Sequence, residues 1–461
     1  MRRNGLTKTL ARWSCGLLLM VTAASALAVQ DLLESYRLAQ ASDPQLAAAA
    51  AALRVERERL VQARALFLPQ LGLEAGVTRV WQDVDGLPPN VVLPEEYDSS
   101  FYGLGLTQPL YRQESFALYA QARLLLAQAE LGYARAQQEL VLRVAQGYFR
   151  VLQAEDGLRS YEAERAALAR QLARAERAFA LGGATVTDVH EARARLDLTE
   201  ARRLQARHEV QLAREALRRL TGAAVVGELA RLPAGFAPPV LEPAAAQAWV
   251  ARAEAESLEV RLARYGVALA REEVARQRAQ RFPQLDLVAR YGRQDGVQLQ
   301  QGLEATVSER AVGLQLRLPL YAGGGISAQV RAAQAGQEQA QAQLEAAVRA
   351  AGLAAESAYL QLEASRRQVQ ALEQALRSLA LSERSTARGV ELGLRSTLDL
   401  LDVQRERFAA ERDLAAARYG YLLGYLQLQA AVGAATTPAP LEEINQLLVA
   451  GQEDAPGSSA P

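Results

Sequence analysis

Two spacings of apolar residues alternate along the chain, one of period two and one near three and a half. The first occurs in four stretches. Leu71, Leu73, Ala75 and Val77 alternate with Gly72, Glu74, Gly76 and Thr78, and Tyr102, Leu104 and Leu106 alternate with Gly103, Gly105 and Thr107. Leu285, Leu287, Ala289 and Tyr291 alternate with Asp286, Val288 and Arg290, and Val312, Leu314, Leu316 and Leu318 alternate with Gly313, Gln315 and Arg317. The pattern predicts strands over 70–80, 100–110, 284–294 and 309–320, each with one apolar face and one polar or glycine face. About ten residues is the length at which a tilted strand crosses a bilayer. Trp81, Tyr97, Tyr111, Tyr291 and Tyr321 fall near the expected strand ends, where interfacial aromatics belong. A soluble sheet with one buried face would alternate in the same way.

The second spacing marks helices over 112–178, 187–221, 326–388 and 397–433. The two longer stretches contain no proline and only isolated glycines, and at 1.5 Å per residue each reaches roughly 100 Å. Leu344, Val348, Ala351, Ala355, Leu362, Val369, Leu372, Leu376 and Leu379 form a heptad-like seam. The last helix carries two stripes. One holds Leu398, Leu401, Phe408, Tyr419 and Leu422, and the other holds Leu400, Val403, Leu414, Ala417 and Tyr421. A helix at the edge of a bundle core needs one broad apolar face. A helix in the wall of a tube has a neighbour on each side and needs two narrow seams. Residues 31–66 read as two shorter helices broken at Asp43-Pro44, with a tight-packing run from Ala47 to Ala52, and 243–281 mirror them.

The strand, strand, long helix, turn, long helix order occurs twice. Pro69-Gln70-Leu71 reappears as Pro283-Gln284-Leu285, 214 residues on. Gln108-Pro109-Leu110-Tyr111 reappears as Leu318-Pro319-Leu320-Tyr321, 210 residues on. Leu181-Gly182 with Thr187-Asp188-Val189 reappears as Leu392-Gly393 with Leu398-Asp399-Leu400, 211 residues on. A repeat this long is a duplicated half-protein and not a short solenoid unit. The expected units are 1–28, an export signal; 29–222, the first repeat; 223–242, a linker rich in Pro and Gly; 243–433, the second repeat; and 434–461, a terminal segment disordered at its end. The stretches 82–99 and 295–308 read as polar connections between strands.

Arg2, Arg3, Lys8 and Arg12 precede a short apolar stretch from Cys15 to Ala26, and Ala26-Leu27-Ala28 fits a cleavage site. Cys15 is the one cysteine, so the processed chain has no disulfide, thiolate metal site or lipid-bearing cysteine. No later run reaches 18 apolar residues without charge. The full chain is formally neutral, so removal of the four basic residues leaves it mildly acidic, which gives no support to nucleic-acid binding. Four strands cannot close a barrel, and open edges are not tolerated in lipid. The smallest membrane barrels have about eight strands, so the barrel must be shared between two or three copies. His190 and His208 are the only histidines, both in solvated Arg/Glu-rich sequence; no phosphate loop or nucleophile elbow accompanies them, and no enzyme or cofactor is expected.

The chain resembles the TolC family of outer-membrane channel-tunnels from about Val29 to Ala450. The resemblance rests on Phe67-Leu68-Pro69-Gln70-Leu71, on Leu318-Pro319-Leu320-Tyr321 and on two turn motifs. The turn motifs are Leu181-Gly182-Gly183-Ala184-Thr185-Val186-Thr187-Asp188-Val189 and Leu392-Gly393-Leu394-Arg395-Ser396-Thr397-Leu398-Asp399-Leu400-Leu401-Asp402. It implies an α+β membrane protein built as a homotrimer. A twelve-stranded β-barrel sits in outer-membrane lipid, and a long antiparallel α-helical barrel crosses the periplasm of a Gram-negative cell. It also implies a passive exit duct for type I protein secretion or drug efflux. Its partners would be a periplasmic adaptor and an inner-membrane pump, either an ABC transporter or a proton-driven one. The missing lipidation cysteine and near-equal halves lean toward secretion. A periplasmic coiled-coil scaffold without a pore is the alternative from another class.

Thr185 with Asp188, and Ser396 with Asp399, have the spacing of helix capping pairs. Capping explains Asp188 and Asp399 but leaves Asp402 without a role. By resemblance, Asp399 and Asp402 form an acid ring at the periplasmic aperture, where like charges raise one another's pKa. Arg395 and Asp188 match residues that help latch the aperture. Val390 stands where the family has a latch tyrosine. Gly182, Gly183 and Gly393 mark turns expected to dock the adaptor.

Overall fold

The computed structural model describes residues 31–83, 95–223, 227–233, 235–239, 241–298 and 304–448. The expected export signal and the end of the terminal segment lie outside them. Each half begins with two helices, α1 (Leu32–Ser42) and α2 (Pro44–Ala65) in the first, α5 (Ala246–Glu256) and α6 (Leu258–Ala279) in the second. Two strands follow, β1 (Gln70–Trp81) and β2 (Glu96–Arg112), then β3 (Gln284–Gln298) and β4 (Glu304–Arg317). Each half ends in a long hairpin, α3 (Gln113–Ala180) with α4 (Val186–Thr221), and α7 (Gly325–Glu391) with α8 (Thr397–Ala431). A short helix, α9 (Ala439–Leu447), closes the described chain. Asp43 ends α1 and caps α2: its carboxylate accepts from the Leu46 amide at 2.7 Å, and Pro44 takes the first helical position, where no amide is needed. Arg143 of α3 bonds the same carboxylate at 2.9 Å, so the break is anchored to the long helix.

The sheet runs β1-β2-β3-β4, antiparallel throughout. Its register brings the apolar faces into line. Leu71 pairs with Leu106, Leu106 with Ala289, and Ala289 with Val312. Leu287 faces Leu314, and Leu285 faces Leu316, so one surface carries a continuous apolar band. The glycines, Asp286, Gln315 and Arg317 point the other way.

Three details differ from the sequence expectation. Strands β3 and β4 extend into the 295–308 stretch, pairing Gln298 with Glu304 across a register shift near Gly296. Strand β2 begins at Glu96 and passes through Pro109 on a bulge to Arg112, whereas β4 stops at Arg317, ahead of Pro319. A proline removes a ladder donor in both copies. In β2 the Gln108 amide bonds the Phe67 and Pro109 carbonyls, and Arg112 pairs with Asp286 at 2.8 Å, holding the chain in place. The second copy has Leu318 and Ala322 at these positions and no such tie. Tyr291 lies mid-strand opposite Arg310 and is no end marker.

Helix lengths set the plan. Helices α3 and α7 have 68 and 67 residues, α4 and α8 have 36 and 35, and α2 and α6 have 22 each. The returning helices cover only about half of each long one, or roughly 54 Å at 1.5 Å per residue. The α2 and α6 pair covers the half next to the sheet. There α6 lies between α3 and α7; in the half next to the turns α8 takes that place. The main core forms at the changeover, where Leu140, Val144, Tyr148 and Leu152 of α3 meet Leu422 and Leu426 of α8, Trp249 of α5 and Leu362 of α7. Both stripes of α8 are used, with Leu400, Leu401, Phe408, Leu414, Tyr419, Tyr421 and Leu422 all buried. Leu198 and Leu212 of α4 and Leu353 and Leu360 of α7 remain exposed.

Candidate functional site

The two hairpin turns lie at the ends of the long helices remote from the sheet. They are built alike. After α3, the Gly183 amide donates to the Ala178 carbonyl at 2.8 Å and the Gly182 amide to Phe179 at 2.9 Å. After α7, the Leu394 amide donates to Gly389 at 2.8 Å and the Gly393 amide to Val390 at 3.0 Å. This closure needs a left-handed residue, and Gly182 and Gly393 have φ of 77° and 70°. Each turn leaves large apolar residues in water, notably Leu181 and Leu394.

A capping box opens each returning helix. The Thr185 amide donates to the Asp188 carboxylate at 2.8 Å and the Asp188 amide to the Thr185 hydroxyl at 3.2 Å. The Ser396 amide and the Asp399 carboxylate, and the Asp399 amide and the Ser396 hydroxyl, repeat this at 3.1 Å. Both carboxyl groups are held below the ordinary carboxylate value, Asp188 by the Thr185 hydroxyl and amide, Asp399 first by the Ser396 amide, with Arg395 adding to it. Within one chain the cap thus acts on Asp399 in the direction opposite to the mutual elevation expected of an acid ring.

Asp402 does have a role within the chain, and the expectation that it lacked one is corrected. Its Oδ1 accepts from Arg195 of α4 at 2.9 Å, and Arg405 lies 3.5 Å from the same oxygen. The structure does not bring Arg395 and Asp188 together. The Arg395 amide bonds the Gly389 carbonyl at 3.2 Å, its side chain lies over Gly389, and Asp188 stays with Thr185. Val390 is half-buried and serves the turn through its carbonyl. Arg195 was not found from sequence: its partner is 207 residues away, and an arginine among many on a helix carries no signal of its own.

Nearer the core, the two hairpins are joined by buried polar links. Arg412 of α8 reaches Glu164 of α3 at 3.0 Å, and the Tyr419 hydroxyl donates to Asp156 at 2.9 Å. Glu155 accepts from Arg214 of α4 at 2.6 Å and from Arg231 of the linker at 2.7 Å. His190 and His208 are exposed, and no group of His, Cys, Asp or Glu among the described residues could hold a metal ion. No helix among them is long and apolar enough to cross a membrane. The apolar band of the sheet is exposed, with Leu71, Leu73, Val312, Leu314 and Leu316 all in the open.

The family of outer membrane efflux proteins matches this chain twice, over residues 35–223 and 249–434. The chain belongs to that family. The double match coincides with the repeated order of elements. Among its relatives, the outer membrane protein TolC of Vibrio cholerae is 31% identical over 89% of this chain and 92% of its own. The alkaline protease secretion protein AprF of Pseudomonas aeruginosa is 31% identical over 97% of this chain and 93% of its own. The crystal structure of the outer membrane channel CmeC of Campylobacter jejuni superposes with a TM-score of 0.74 at 15% identity, covering 96% of this chain and 97% of that one. This family member is therefore an outer-membrane exit duct with a TolC-like fold. Its sheet lies in the outer membrane, and its helices extend into the periplasm.

Proposed function

We propose that the chain is the exit duct of a type I protein secretion machine. The observation that carries this is the nearly end-to-end match, over 97% of the chain, to a relative named for secretion of alkaline protease. The near-equal halves and the lack of a cysteine beyond Cys15 agree with it. The efflux reading draws on the description of the matched family as outer membrane efflux proteins. Three copies supply twelve strands, and the open edges β1 and β4 pair between copies. The duct is passive, drives no chemistry, and draws on an inner-membrane ABC transporter through a periplasmic adaptor.

In this reading the hairpin turns form the periplasmic aperture. Asp399 and Asp402 from three chains place six carboxylates around it, attracting cations. Gly182, Gly183 and Gly393, with exposed Leu181 and Leu394 beside them, form the adaptor's docking surface. Asp188 and Arg395 act between neighbouring copies to close the aperture. Deleting the gene and scoring both the secreted proteins and the susceptibility to small toxic compounds separates the readings. Loss of an exported protein with unchanged susceptibility supports secretion; the reverse pattern overturns it in favour of efflux.

A further inference from the structure

The apolar face of the sheet ends in arginine on three of its four strands. On β1, Leu71, Leu73, Ala75 and Val77 share that face, and the next residue on it is Arg79. On β3, Leu285, Leu287, Ala289 and Tyr291 lead to Arg293, and on β4, read outward from the helices, Leu316, Leu314 and Val312 lead to Arg310. Strand β2 departs from this, with Leu106, Leu104 and Tyr102 leading through Ser100 to Asp98. The boundary steps back along the ladder, from the rung of Arg79 on β1 to that of Tyr102 and Arg293, then to that of Tyr291 and Arg310. Strands tilted in a barrel carry one level of the membrane through different rungs in this way. The boundary lies toward the strand ends remote from the helices. With the sheet in the outer membrane and the helices in the periplasm, it meets the head groups of the outer leaflet.

The three arginines differ in their partners. Arg79 bonds both oxygens of Asp98 at 2.6 and 2.8 Å and lies 3.4 Å from Glu96. Arg293 reaches Asp295 at 3.3 Å, on an oxygen that the Thr306 hydroxyl already holds at 2.6 Å. Arg310 has no hydrogen bond or ion pair among the described residues, and its guanidinium lies 5.7 Å from the Tyr291 ring. Tyr291 faces Arg310 and Arg293 faces Ser308, so the two arginines are diagonal neighbours on one face. Like charges so placed repel. Closing a ring of copies brings β1 beside β4, and the residues of β1 on this face, from Leu71 to Trp81, include no acid. A cation without a counter-charge at the edge of lipid is costly, and an anion from outside the protein relieves it.

We infer that Arg293 and Arg310, with Tyr291 beside them, form a binding site for the phosphate group of a phosphorylated lipid in the outer leaflet. Two guanidinium forks match phosphate oxygens, and a tyrosine ring suits the head-group level. A phosphate monoester fits best, because a head group that carries its own cation would set that cation against Arg310. The site is independent of what the duct exports.

The test uses full-length protein purified in detergent and titrated with bisphosphorylated lipid A, with bound lipid counted by native mass spectrometry. The variants are Arg310→Gln, Arg293→Gln, both together, and Asp295→Asn. Arg290→Gln is the control, because Arg290 faces Gly105 and Ala311 on the opposite side of the sheet. Each lost arginine should weaken binding about fivefold, and the pair about 25-fold. Asp295→Asn should tighten it, since Arg293 is then released to the phosphate. Arg290→Gln and phosphatidylcholine in place of lipid A should show no such dependence. Trimer bands on gels without added lipid report ring formation, so a failed ring is not mistaken for failed binding. If Arg310→Gln does not assemble, Arg293→Gln and Asp295→Asn carry the test with their opposite signs. The inference is overturned if the double variant weakens binding less than about twofold, if Arg290→Gln weakens it as much, or if dephosphorylated lipid A binds as well. Displacement of the lipid by inorganic phosphate at matched concentration would mark a free-anion site and overturn it too.

Discussion

Glu155 offers the sharpest test of how the linker between the two halves is fixed to the long helix. It sits on α3 with its side chain 7% exposed and accepts from Arg214 of α4 and Arg231 of the linker. Glu155→Ala strands both cations. Removing one member of a buried pair costs about 3–5 kcal/mol. Arg214 is 40% exposed and can swing into water, whereas Arg231 is mostly enclosed and its Nε already lacks a partner. The loss belongs at the low end, about 3 kcal/mol, and falls on the linker. At 1.4 kcal/mol per tenfold, that opens the linker roughly 100-fold more often. Trypsin under conditions where cleavage follows the open population reads this directly, as the rate of scission after Arg231. Purified protein in detergent is digested and the fragments are weighed by mass spectrometry. We expect about a 100-fold faster cut after Arg231 in Glu155→Ala. The exposed pair of Glu215 with Arg218 is the comparison, and Glu215→Ala should change the rate less than about twofold. A change under about fivefold for Glu155→Ala would refute the claim that this carboxylate holds the linker.

Other outcomes follow from the same packing. Burial raises the carboxyl pKa of Asp156 above its ordinary value, against the pull of Arg159 and Tyr419. A raised folded-state value means that its contribution is fully present at low pH and lost as pH climbs through that value. Asp156→Asn, which keeps an acceptor for Tyr419, should therefore raise the thermal midpoint at pH 7 and change it little below about pH 4; an equal effect at both would refute the sign. Leu362→Ala should cost about 2–5 kcal/mol, and adding Gly424→Ala, whose methyl would meet Leu362 Cδ1 at 3.3 Å, should recover part of it in thermal unfolding. Gly182→Val and Gly393→Val force left-handed backbone at about 1–2 kcal/mol each, and nothing lies within 4 Å of the added carbon. They should leave trimers intact on gels and reduce export; wild-type export would remove the turns from the docking surface. Mass spectrometry of the processed protein should find an unacylated start after Ala28, and a lipidated residue there would overturn the reading of Cys15.

What was legible in the sequence was whatever repeats locally. The Asp43-Pro44 break, the two capping boxes and the left-handed glycines follow from residues within a few positions of one another. The two stripes of α8 announced a helix with neighbours on both sides, and α3 and α7 flank it. Strand ends were less legible. Polar residues beyond the apolar band, such as Gln294 and Ser308, pair in the ladder without alternating, so no pattern marks them. Near-identical motifs also ended differently. Pro109 lies inside a strand because Gln108 and Arg112 tie it down, and Pro319 lies outside one because Leu318 and Ala322 cannot. The partner of Asp402 was hidden for a further reason: ion pairs between elements depend on which helices become neighbours, and charge alone does not encode that.

Among the described residues, the sheet ends on both sides with a strand that has one partner. In water such an edge is a hazard; in lipid it is forbidden, since each unpaired amide and carbonyl costs several kcal/mol. No chain of this shape can therefore dwell in the bilayer by itself. Entry into the membrane and joining of copies become a single event, with a rate that rises steeply with the concentration of waiting chains. A subunit whose β4 cannot pair, for example one shortened at Val312–Leu316, would not be merely inactive. In the proposed three-copy ring it would consume healthy partners in rings that never close, so the loss of ducts would exceed the share of such chains.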